Sequence, residues 1–282
     1  MTSDGPTRTD TRISAELPIA MFDSGVGGLT VLHECLVSLP TEDFLYLGDD
    51  LRFPYGALSR EQLVANVQAI TSYLLERGTK LIVIACNSAA SAGLEAAREI
   101  ATEAGVQVVA VIEPEAEVAA ALTSSGRVGV LATPATVRSG SYLAALASQH
   151  RSLVVTEVEA PDLAAVIQRG FPFDQNVVEM VRSYCEPLKR AEVDTVILGC
   201  THYPLVAPML QRTLGRDVTL VTGGHAIAAQ CQRVLAARDL TAPGGREGDY
   251  SFLCTGDRNS FAELGTRFLQ LPLGEVEKVV LP

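Results

Sequence analysis

Tryptophan is absent from this chain, and lysine nearly so: only Lys80, Lys189 and Lys278 occur in 282 residues. Basic residues number 22 against 33 acidic ones, a net charge of −11. That balance argues against a broad surface for nucleic acid or an anionic membrane. It leaves room for a small anionic substrate, because backbone N–H groups at helix N-termini hold carboxylates without lysine. No apolar stretch approaches the roughly 18 residues needed to span a bilayer. Met1 to Glu16 is polar and carries no signal-peptide core. The expectation is a cytoplasmic globular protein.

The six cysteines (35, 86, 185, 200, 231, 254) form no C-x-x-C pair and show no zinc-knuckle spacing. In a reducing compartment they are free thiols. Cys35, Cys185 and Cys231 fall in helical patterns, where cysteine behaves as a small buried hydrophobe. Cys254 closes a short strand pattern and reads the same way.

What the chain does have is alternation. Strand-like runs lie near 18–22, 43–48, 80–85, 106–111, 127–132, 153–158, 194–199, 217–221 and 250–253, with helical patterns between them. The helix at 59–77 opens with Ser59 and Gln62, a capping-box pair, and stops before Gly78. A second helix runs over 89–104. This order predicts an α/β protein with two similar doubly wound domains and mostly parallel sheets. The halves repeat: Phe22 precedes Cys86 by 64 residues and Leu131 precedes Cys200 by 69. Internal duplication therefore predicts two facing sets of strand ends with the active site in the cleft between them. The expected division is 13–111 with 222–282, then 112–221, with 1–12 a flexible tail.

Two strand ends are nearly identical: Leu81-Ile-Val-Ile-Ala-Cys86-Asn-Ser and Thr195-Val-Ile-Leu-Gly-Cys200-Thr-His. Buried parallel strands read as such apolar runs, and the residues just past them carry chemistry in open α/β sheets. Asn87 or Ser88 is a natural N-cap. Cys86 then sits at the positive end of a helix, which favours thiolate. His202, two residues beyond Cys200, can exchange a proton with it. A metal reading of Cys-x-His lacks partners among His33, His150 and His225. A Cys–His hydrolase remains open, since a spatial triad is invisible in sequence.

The loop Asp23-Ser24-Gly25-Val26-Gly27-Gly28 fails both the dinucleotide and the P-loop fingerprints. It offers a carboxylate, a hydroxyl and a flexible turn at a strand end. The loop from Gly48 to Gly56, with Asp49, Pro54 and Tyr55, is similarly placed.

Together Phe22–Val31, Tyr46–Asp49 with Pro54–Gly56, Ala85–Ala89 and Leu198–Leu205 resemble the glutamate-racemase branch of the cofactor-independent aspartate/glutamate racemase family. The resemblance spans roughly residues 18–270. It implies interconversion of L- and D-glutamate for peptidoglycan, with Cys86 and Cys200 as acid/base thiols on opposite faces of the α-carbon. The first thiol would serve D-glutamate and the second L-glutamate. Asp23 would assist Cys86 and His202 would assist Cys200; Asp49 matches another acidic residue near the site. Asp23, Ser24, Tyr55, Gly56, Asn87, Ser88, Thr201 and His202 match substrate-holding positions, and Thr133 and Thr136 a threonine loop. No cofactor and a homodimer are implied. The expected partner is a small molecule, with no metal, nucleic acid or membrane.

The chain departs from the family pattern at Ser88 (usually Thr), Asp50 (commonly Thr) and Ala160 (usually Cys). Most consequential is Gln168, where a glutamate usually supports the second thiol. A neutral amide holds no proton at useful pH. Pyridoxal chemistry would need a Schiff-base lysine, and none of the three is well placed. The site must then stabilise carbanion character with preorganised donors, for which Ser24, Ser88, Asn87 and Thr201 are candidates. Thiols suit the work because modest shifts bring them near neutrality. Two other readings stay open: a relative acting on aspartate, and a binding role such as inhibition of a DNA enzyme.

Overall fold

The computed structural model describes residues 13–149, 152–170 and 174–281. The expected flexible tail, 1–12, lies outside the described residues. Ten strands are present among those described: β1 (Ile19–Asp23), β2 (Phe44–Gly48), β3 (Leu81–Ile84), β4 (Gln107–Ala110), β5 (Arg127–Ala132), β6 (Val154–Glu159), β7 (Thr195–Gly199), β8 (Thr219–Val221), β9 (Tyr250–Cys254) and β10 (Val276–Lys278). Nine match the apolar runs of the sequence. β10 was not anticipated, because its Val-Glu-Lys is three residues of an edge strand with one buried side chain.

All pairings are parallel, and they build two sheets. The first has the order β10-β9-β2-β1-β3-β4 and the second β6-β5-β7-β8. The segment β2-β1-β3-β4 therefore has the same order as the whole second sheet, which is the architecture the repeat predicts. In each sheet the chain runs outward one way from the first strand and the other way from the third. The switch points lie between β1 and β3 and between β5 and β7, where open sheets form a crevice at their carboxyl ends. Asp23 ends β1 and Cys86 follows β3; Thr133 follows β5 and Cys200 follows β7.

β1, β2, β3 and β7 are buried along their full length, as strands covered by helices on both faces must be. The helix Arg60–Glu76 has both halves of its capping box, and Gly78 beyond it takes a positive φ of 79°. It packs on the helix Asn87–Glu103, where a Cβ on Gly93 would stand 2.5 Å from Val67. Cys35, Cys185, Cys231 and Cys254 are buried free thiols. The helix Ile112–Leu122 carries the chain from the first sheet to the second, and Gly223–Ala237 brings it back. Lys80, at the end of β3 away from Cys86, is buried against Glu42 at 2.5 Å. No helix among the described residues is long and apolar enough to cross a membrane.

Candidate active site

The switch points face each other. Ser24, Tyr55, Gly56, Cys86, Asn87 and Ser88 from the first sheet line one cavity of about 30 Å³ with Thr133, Cys200, Thr201 and His202 from the second. Asp23 is fully buried beside it. Its carboxylate accepts from Gly25 N (3.1 Å) and, across the cleft, from the Thr201 hydroxyl (3.2 Å). The sequence-named substrate and acid/base residues thus come together.

Cys86, rather than Asn87 or Ser88, is the N-cap of its helix: its sulfur accepts from Ala89 N at 3.4 Å. The helix, Asn87–Glu103, begins two residues earlier than the expected 89 because the thiol itself takes the capping place. The dipole does not win, however. Burial, followed by the charge of Asp23, pushes the Cys86 thiol up to about 12, against hydrogen bonds from Ala89 and Ser24 that pull it down. Burial pushes Cys200 higher still, and there the charges of Cys86 and Asp23 act in the same direction. The expectation of near-neutral thiols is corrected: desolvation of an enclosed site outweighs one helix terminus. Burial also raises the pKa of Asp23, against hydrogen bonds from the Gly28, Gly25 and Ser24 backbone and the Thr201 hydroxyl that lower it.

The second pair is built on His202. Nδ1 faces the Cys200 sulfur at 3.9 Å, and Nε2 lies 2.7 Å from Gln168 Oε1. The ring stands between Phe53 and Phe268, with centroids 5.3 and 5.2 Å away. Burial pushes its pKa down to about 3, so the imidazole is neutral. Asp49 does not line the cavity. It accepts from the Tyr55 hydroxyl in a short hydrogen bond and from Thr255 at 2.8 Å, and so fixes Tyr55. Asp50 likewise turns away, accepting from Thr255 N (3.1 Å) and Gly256 N (2.8 Å).

No lysine or arginine lines the cavity among the described residues. Hydroxyls take their place: Ser88 meets Thr133 at 2.8 Å, and Thr133 meets Thr136 at 3.0 Å. The glycine-rich loop also has a role other than the flexible turn expected of it. Gly27 keeps an ordinary φ, and a Cβ there would collide with the His202 ring and the Thr201 hydroxyl. Glycine is needed for close approach across the cleft. Sequence reasoning missed Phe53 and Phe268, which flank His202, and Glu115 and Tyr142, which hold Asn87. None of the four stands in a motif.

Two thiols on equivalent strand ends, meeting over one cavity lined with hydroxyls, define the class: an α/β protein of two like parallel sheets with a two-cysteine site where their strand ends meet. Comparison with known proteins agrees. The family model for Asp/Glu/hydantoin racemases matches residues 46–231. A glutamate racemase of Mycobacterium tuberculosis is 43% identical over 93% of this chain and 96% of its own. One from Corynebacterium kroppenstedtii is 39% identical over the same shares. Among solved structures, a glutamate racemase isoform from Bacillus anthracis superposes with a TM-score of 0.89 at 34% identity, covering 94% of this chain and 98% of that one. The chain belongs to the Asp/Glu/hydantoin racemase family, on the branch of the glutamate racemases.

Proposed function

We propose that this protein interconverts L- and D-glutamate by a two-base 1,1-proton transfer, supplying D-glutamate for peptidoglycan. The observation that carries the reading is the pair Cys86 and Cys200, brought to one cavity by the same position in two like sheets. One thiolate removes the α-proton while the opposite thiol donates one to the other face. Asp23 serves Cys86 and His202 serves Cys200 as proton partners. Ser24, Tyr55, Gly56, Asn87, Ser88 and Thr201 hold the substrate. The carbanion is stabilised by hydroxyl and backbone donors aimed at the α-carboxylate. A crystal structure of a Francisella tularensis glutamate racemase, similar to this chain with a TM-score of 0.88 at 29% identity, is a complex with D-glutamate, which supports the substrate class. We assign residues 13–111 with 222–282 to one lobe and 112–221 to the other, and place the protein in the cytoplasm as a homodimer.

The test is racemisation in D₂O. Each enantiomer of glutamate should exchange its α-hydrogen as it racemises, and aspartate should turn over far more slowly. Cys86→Ala and Cys200→Ala should each abolish racemisation. A single-cysteine variant with normal racemisation would overturn the two-base reading, and equal turnover of aspartate would overturn the substrate.

A further inference from the structure

The residues gathered at the cavity follow the carboxyl ends of β1, β2, β3, β5 and β7, and β9 ends at the same edge of the first sheet. β9 pairs with β2 so that Cys254 stands beside Gly48, which puts Thr255 beside Asp49. Thr255 is buried. Its hydroxyl donates to Asp49 Oδ1 at 2.8 Å and accepts from Leu51 N at 3.0 Å. Its backbone N–H lies between Asp50 Oδ1 (3.1 Å) and the Gly48 carbonyl (3.2 Å). Gly256 N donates to Asp50 Oδ1 as well, at 2.8 Å. A Cβ on Gly256 would collide with the Asp50 carboxylate, which enters the space that glycine leaves. Thr255 and Gly256 thus clasp three consecutive residues, Asp49, Asp50 and Leu51.

The other oxygen of Asp49 accepts from the Tyr55 hydroxyl in a short hydrogen bond, with the partly exposed Arg52 more distant at 3.5 Å. Tyr55 is buried and lines the cavity with Cys86 and Cys200. Gly56 beside it lies close against the second sheet: a Cβ there would stand 2.7 Å from Thr133, whose hydroxyl meets Ser88. The turn Tyr55–Ala57 is therefore held from two sides, by Asp49 and by Thr133. We propose that Thr255 is a positioning residue: through Asp49 it sets the Tyr55 ring and the Gly56 backbone against the substrate. A residue 206 positions beyond Asp49, outside every motif, thereby acts on binding without touching the ligand. This inference rests on the reading of the protein as a glutamate racemase in which Tyr55 and Gly56 hold the substrate.

Two substitutions separate the hydroxyl from the rest of the side chain. Thr255→Val keeps the branched shape and removes the hydroxyl; Thr255→Ser keeps the hydroxyl and removes a methyl group. The readouts are KM and kcat for L- and D-glutamate. Thr255→Val should raise KM roughly tenfold, as loss of a hydrogen bond to a charged group does. Its kcat should stay within about twofold, because the turn holds substrate and transition state alike. Thr255→Ser should behave like the unaltered protein. Tyr55→Phe cuts the same relay at its other end, so adding Thr255→Val to it should cost nothing further. An unchanged KM in Thr255→Val, an equal loss in Thr255→Ser, or losses that multiply in the double variant would each overturn the proposal. A packing role gives the reverse order, with serine impaired and valine normal. If Thr255→Val does not fold, Tyr55→Phe takes its place: its KM should rise as far, and an unchanged KM overturns the proposal. Failure of the functional reading is separate, since it shows as absent glutamate racemisation in the unaltered protein.

Discussion

His202 is held neutral between two aromatic rings, and its tautomer follows from its neighbour. With Gln168 Oε1 accepting at 2.7 Å, the ring proton sits on Nε2 and the Nδ1 lone pair faces Cys200. A neutral acceptor does little to raise the basicity of an imidazole that burial has already lowered to about 3. A carboxylate at position 168 would favour the imidazolium, and with it the Cys200 thiolate. Gln168→Glu should therefore raise kcat/KM roughly tenfold, in line with one improved proton-transfer partner. L- and D-glutamate have equal free energy, so kcat/KM must rise equally in both directions. The asymmetry between the two thiols then shows in kcat and KM taken separately. Initial rates from each pure enantiomer check this, and unchanged constants in both directions would refute it. At this scale much of the site was legible, because Cys86, Ser88, Cys200 and Thr201 stand at strand ends where backbone topology alone puts them near substrate. Glu115 was not, since a glutamate in the first turn of a helix reads as an ordinary partner of the dipole in water. Only its contact with Asn87, 28 residues away in sequence, gives it meaning.

Between β1 and the helix Leu29–Ser38, the loop carrying Asp23 to Gly28 is shaped by what it touches across the cleft. Thr30 donates to the Thr201 carbonyl at 3.0 Å, and Thr201 donates to Asp23, so the two loops interlock. Gly27→Ala inserts a methyl group against His202 and Thr201 without straining its own backbone. It should leave the fold in place and lower kcat/KM at least about a hundredfold, the effect of misplacing reacting groups by about 1 Å. Circular dichroism and steady-state rates together check this; near-normal kinetics would show that the loops do not close as described. The strands themselves were readable because burial on both faces leaves no polar positions to blur the run. Cys86 as an N-cap was not, since capping statistics favour Asn and Ser and only the geometry of the site selects the thiol.

On the scale of the whole molecule, the two sheets behave as one body in two respects. Their buried residues form a single continuous hydrophobic cluster, and polar contacts cross the cleft at Asp23–Thr201, Ser88–Thr133 and Asn87–Tyr142. The cavity they enclose, about 30 Å³, is far below the several hundred Å³ usual for a ligand pocket. A second cavity of about 120 Å³ reaches Asn87, Cys200 and Thr201 from the other side, so on the proposed function the walls of the cleft move to admit an amino acid. Substrate bound at this seam touches both lobes, so it stabilises the pair rather than either one alone. Thermal unfolding should therefore be one cooperative transition, and D-glutamate should move all of it upward. At a hundredfold excess over Kd the gain is about 2.7 kcal/mol, a rise of roughly 5 °C for a chain of this size. The Cys86→Ser/Cys200→Ser protein keeps the added enantiomer pure during the scan. Two resolved transitions, with one of them indifferent to glutamate, would mean that the lobes hold together without sharing the ligand.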